Sequence, residues 1–128
     1  MGGVYAVFYR DSGDDIRVKT YTIDFNGAIA EVDSSELYVG TVNFLEARSI
    51  FDSGGSTYFA IIHEETGNEG WCRTVAITSA GTIGAVIDSL QLKNSGFSSP
   101  FSLSLSIRSG VFGVTYQETS GADGQLVT

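Results

Sequence analysis

Three segments of the chain share one pattern of apolar and polar positions. VYAVFYRDSGDDIRVKT (residues 4–20), YFAIIHEETGNEGWCRT (58–74) and VFGVTYQETSGADGQLVT (111–128) each hold an apolar run, an acidic turn containing glycine, and a second strand-like run ending in threonine. Thr20, Thr74 and Thr128 stand 54 residues apart, twice in succession. Residues 4–9 are apolar at every position, which predicts a strand covered on both faces. Residues 17–23 alternate, with Val18, Thr20 and Thr22 against Lys19, Tyr21 and Ile23, and Asn26-Gly27 supplies the following turn. With four strands of a repeat labelled a to d, these are b and c, and d runs with a break from Ala28 toward Val39.

The second repeat adds strand a over 45–51, then b over 58–63, c over 71–77 and d over 82–87, with Leu90 and Leu92 beyond it. In the third, Phe101, Leu103, Leu105 and Ile107 alternate with Ser102, Ser104, Ser106 and Arg108, the period of a half-buried strand. Pro100 is placed just before this strand, where its missing N–H harms no ladder. Strands b and c follow, to Thr128. The predicted order is b-c-d, a-b-c-d, a-b-c. Four short antiparallel strands recurring at such a period predict an all-β fold of β-propeller blades, about two and a half per chain. The repeats fall at 1–44, 45–99 and 100–128 within one domain.

The segments Gly3 to Arg10 (GVYAVFYR), Trp71 to Thr78 (WCRTVAIT) and Gly81 to Leu90 (GTIGAVIDSL) resemble the blade repeat of β-propellers in secreted and cell-surface proteins of bacteria and archaea. The resemblance implies an extracellular repeat scaffold used for binding or adhesion. It names no ligand and carries no functional residues over. The departure is in length, since such propellers close with about four to eight blades.

Composition narrows the function classes. A net charge of −8 and only seven Lys and Arg exclude a nucleic-acid partner, which needs clustered cations, and disfavour an anionic membrane surface. Nothing approaches the roughly 20 apolar residues of a membrane span, so no membrane insertion is expected. Residues 1–15 show neither a basic nor a long apolar run, so no secretory leader is read there. A single cysteine, Cys72, allows no internal disulfide.

The acidic turns hold the one metal expectation. Asp11, Asp14 and Asp15 correspond in place to Glu65 and Glu69, and to Glu118 and Asp123. Clustered carboxylates suit weakly bound calcium; exposed hairpin turns favour the same residues, and that is the simpler reading. No other cofactor is expected. His63 and Cys72 are placed facing each other across the b–c hairpin, a Cys–His nucleophile pair in chemical terms. The repeat puts Tyr9 and Val18, and Tyr116 and Leu126, at the same two places, which favours packing. Asp24, Asp33 and Asp88 lie near strand ends, where glycosidase carboxylates would sit. Tyr38, Trp71 and Phe97 would stack on sugars if exposed and serve as core otherwise.

The first repeat lacks a and the last lacks d, so both end blades would present an apolar face. Such faces drive association, into a closed ring or an open filament. The expected function is a non-enzymatic, self-assembling structural or binding module, with carbohydrate as the leading ligand class. The alternative is a glycoside hydrolase whose site forms at an oligomer axis.

Overall fold

The computed structural model describes residues 3–108, 111–119 and 124–127, the side chains at 99–100 and 104–108 excepted. Ten strands and no helix occur among them: β1 (Val4–Arg10), β2 (Ile16–Ile23), β3 (Ile29–Tyr38), β4 (Val42–Ser53), β5 (Ser56–Glu65), β6 (Glu69–Thr78), β7 (Ile83–Lys93), β8 (Phe97–Arg108), β9 (Val111–Glu118) and β10 (Gly124–Val127). They form three antiparallel sheets in chain order: β1-β2-β3, β4-β5-β6-β7, and β8-β9-β10.

The period of two along a strand explains how the sheets stack. In β5, Ile61 points into a core with Ile16, Val18 and Leu37 of the first sheet. Its neighbours Ala60 and Ile62 point the other way, into a core with Leu103, Val114 and Tyr116 of the third. All three are fully buried. The middle sheet is therefore apolar on both faces, and strand β5 reads as an unbroken apolar run for that reason. The outer strands of the same type do not share this fate. In β1, Tyr5 and Val7 are half exposed, and in β9 so is Val111.

The turns repeat as closely as the strands. Gly27 N–H donates to Asp24 O and Gly81 N–H donates to Thr78 O, in turns that each close on glycine at positive φ. Asp14 and Asn68, non-glycine residues at φ of 64° and 61°, lie at the same place in successive b–c turns. Each offers its carbonyl to the first residue of the next sheet: Val42 N donates to Asp14 O at 3.1 Å and Phe97 N to Asn68 O at 2.8 Å. Both receiving positions are fully buried. Side chains add further ties between the first and second sheets, among them two from Arg10 to the carbonyls of Val42 and Asn43. The Thr20 hydroxyl donates to Gly81 O at 2.6 Å, and Ile83 N donates to Asp33 Oδ2 at 2.8 Å.

Two expectations need correction. Pro100 lies inside β8 rather than before it, within the stretch between Ser98 and Ser102 where the ladder to β9 shifts register. An interrupted ladder tolerates a residue without N–H. Strand d of the first repeat is continuous, and the expected break is a register shift between Thr20 and Tyr21 on its partner strand.

Volume is exchanged between the two cores. Where the first sheet has Ile16 and receives Val42, the second has Gly70 and receives Phe97, all four buried. A Cβ on Gly70 would collide with the Phe97 ring. Replacing Gly70→Ala is expected to cost about 1–3 kcal/mol by overpacking. Gly70→Ile with Phe97→Val, which copies the other pair, is expected to cost less than the sum of the two single changes. Urea unfolding of the four proteins measures this, and additive losses would contradict it.

Candidate functional site

A dense group of polar side chains lies between the first and second sheets, at the end of the β5–β6 hairpin. His63 and Trp71 are cross-strand partners, so their side chains share the face that meets the first sheet. Arg73, two residues on, lies on that face too. Its Nε donates to His63 Nε2 at 2.9 Å, its Nη1 to Ser89 Oγ at 2.8 Å and its Nη2 to Glu65 Oε1 at 3.0 Å. Tyr38, the last residue of β3, covers it, with the guanidinium 4.3 Å from the ring centroid. The Tyr38 and His63 rings stand 5.3 Å apart.

Burial, and secondarily the Arg73 charge, lower the His63 pKa to about 3. The imidazole is therefore neutral, with its Nε2 lone pair taken by Arg73 and no solvent exposure. A base whose lone pair is already occupied by a cationic donor accepts no proton at neutral pH. Burial and the Glu65 carboxylate push the Tyr38 phenol up to about 12. What this arrangement accomplishes chemically is adhesion between sheets. The same contact recurs at the next boundary, where Lys93, the last residue of β7, reaches Glu118, the last residue of β9, at 2.6 Å.

His63 and Cys72 do not face each other, contrary to the expectation. Cys72 is the cross-strand partner of Ile62 and packs toward the third sheet, on the face opposite His63. One residue of register decides this, because successive side chains alternate faces. Burial, with a smaller contribution from Asp88, raises the Cys72 thiol to about 11, which keeps it protonated.

The acidic turn residues are each placed by local contacts. Asp11 accepts from Gly13 N and Asp15 N and pairs with Arg17, whose guanidinium holds its carboxyl below the ordinary range. Asp14 lies 3.4 Å from Arg10, and Asp15 accepts from Gly40 N. Glu65 meets Arg73, Glu69 accepts from Trp71 Nε1 and Gln91 Nε2, and Glu118 meets Lys93. Asp123 lies outside the described residues. Among the described residues, no three His, Cys, Asp or Glu side chains converge as a metal group would require.

Asp24 caps its own turn through Asn26 N and Ala28 N, and Asp33 and Asp88 each accept from the serine that follows. Phe97 is fully buried, and Tyr38 and Trp71 pack around Arg73. An open cleft of about 400 Å³, lined by Asp52 to Thr57 and Ser79, has no counterpart among the sequence-predicted sites; in it Thr57 Oγ1 donates to Asp52 Oδ1. Its residues read as an ordinary Asp-Ser-Gly-Gly turn, and Ser79, brought in from the β6–β7 turn, has no signal at that spacing. Also missed was Phe25, 86% exposed at the tip of the β2–β3 turn.

Comparison with known protein families, characterised proteins and solved structures finds no match to this chain.

Two measurements test this account. The His63 pKa in the fold, about 3, lies below its ordinary value of 6.5. Between these values the unfolded chain takes up a proton that the fold refuses. The contribution is intact above pH 6.5 and is lost as pH falls toward 3. His63→Gln keeps an acceptor for Arg73 and does not titrate, so its urea midpoint is expected to fall less steeply between about pH 7 and pH 4. Parallel slopes in the two proteins would contradict it. Cys72 is expected to resist alkylation at neutral pH until the chain is unfolded, as followed by intact mass.

Proposed function

We propose that this chain is a non-enzymatic module of propeller-blade type that self-assembles and serves a structural or binding role. The observation that carries the reading is the recurrence of one sheet-to-sheet contact scheme at both internal boundaries. The turn carbonyls of Asp14 and Asn68, the strand-end pairs Tyr38–Glu65 and Lys93–Glu118, and the alternating faces of β5 all follow it. Face-to-face packing by a repeated scheme is how blades are joined around an axis.

The polar groups richest in chemistry support a scaffold over an enzyme. His63, Arg73 and Glu65 are spent on one another, and Asp24 and Asp33 on backbone amides. Carbohydrate is the ligand class to test first. The open cleft beside the β4–β5 turn is lined by hydroxyls and a carboxylate, the groups that hydrogen-bond sugar hydroxyls.

A glycan array with the intact protein, followed by calorimetry of any hit against Asp52→Ala, tests the binding role. The expected result is a hit that the variant loses. A hit unaffected by Asp52→Ala would move the site elsewhere, and an array without hits, with a null calcium titration, would leave only the structural role. Native mass measurement tests assembly, for which a species larger than one chain is expected. A monomer at every accessible concentration would remove self-assembly from the proposal.

A further inference from the structure

The outward face of β1 repeats, position for position, the faces of β5 and β9 by which the second and third sheets dock. Tyr5, Val7 and Tyr9 of β1 correspond to Phe59, Ile61 and His63 of β5 and to Phe112, Val114 and Tyr116 of β9. In the second sheet this set packs on the first sheet, and in the third it packs on the second. Ile61 is 0% and Val114 1% exposed, whereas Val7 is 49% exposed. The d strand follows suit. Ile83 packs against the first core, while its counterpart Ile29 is 67% exposed. Val7 and Tyr5 lie opposite Lys19 and Tyr21 of β2. The face therefore mixes apolar and charged groups, with Lys19 and Arg17 on its middle strand paired to Glu31 and Glu36 of β3.

The opposite end carries the complementary surface. Toward the next sheet, the first sheet turns Ala6, Phe8 and Val18, and the second turns Ala60, Ile62 and Cys72. The third sheet has Gly113, Thr115 and Leu126 at those places, and Leu126 is 65% exposed. The first of each set is small in all three sheets, which lets the following sheet approach closely at that point.

Resting on the self-assembly reading above, we propose that the outward face of the first sheet is the docking site for a second copy of this chain. The copy seats the outward face of its third sheet there, continuing the contact scheme of the two internal boundaries. The two surfaces differ, so the interface is heterologous. Each added copy leaves one free surface of each kind, and assembly ends only if a ring closes.

Two variants test the interface and its polarity. Val7→Lys disables the first-sheet face and leaves the third-sheet face intact. Leu126→Lys does the reverse. Val7 is 49% and Leu126 65% exposed, and circular dichroism with thermal melting checks that each variant folds; Tyr5→Lys and Thr115→Lys are the substitutes if one does not. Analytical ultracentrifugation of the wild type is expected to show a species larger than one chain, and each variant alone is expected to sediment as a monomer. Mixed in equal amounts, the variants are expected to form a one-to-one dimer that grows no further, because only one competent pair of surfaces remains. Assembly retained by either variant alone would overturn the head-to-tail interface while leaving self-assembly standing. A mixture that stays monomeric while the wild type assembles would overturn it as well. A wild type that is monomeric throughout would overturn both this interface and the self-assembly on which it rests.

Discussion

The structure depends on one constraint: a sheet with apolar side chains on both faces must be covered twice. The middle sheet meets it because a strand sends alternate residues to opposite sides. Ile61 is spent on the first sheet, and Ala60 and Ile62 on the third. Burying an aliphatic side chain of this size is worth about 1.5–3 kcal/mol. A neighbour missing from either side would forfeit that for every residue of the face. Stacking of the middle sheet between the other two is thus imposed by composition.

Polar groups then decide how the sheets sit on one another. Apolar packing is tolerant of sliding, whereas hydrogen bonds to fixed backbone atoms are not. Thr20 to Gly81 O, Ile83 N to Asp33 and the amides of Val42 and Phe97 to turn carbonyls pin the sheets at several separated points. The His63–Arg73–Glu65 group under Tyr38 belongs with these. A largely covered guanidinium that donates to three acceptors under an aromatic ring is costly to disturb and favours a single arrangement. The group's His63 is held by Arg73 through Nε2, on the face of the second sheet that meets the first.

Much of this was legible in the residues. The period near 54, the all-β class and the approximate extents of the strands follow from apolar runs and turn chemistry, which are local signals. The relation of His63 to Cys72 was not legible. It turns on whether the hairpin pairs residue 63 with 71 or with 72, and an acidic turn of several residues fits either register. Nor were the ties between sheets. Thr20 meets Gly81 across 61 residues, and neither residue carries a mark of the other. Pro100 shows a subtler failure. The rule that proline avoids paired strands holds, but it was met by an interrupted ladder inside β8 and not by a strand boundary.

Repetition also changes what exposure means. A half-exposed valine such as Val7 is ordinary on a protein surface and calls for no explanation by itself. It gains significance because the residues at the same place in the next two sheets, Ile61 and Val114, are almost completely buried by the same kind of neighbour. The acidic turns differ at this face as well. Asp11 is the counterpart of Glu65 and Glu118, each of which meets the last residue of the preceding sheet's d strand. Asp11 meets Arg17 of its own sheet instead. Glu65 makes contacts of both kinds, since it also pairs with Arg73 of its own sheet, and Asp11 keeps only the second kind.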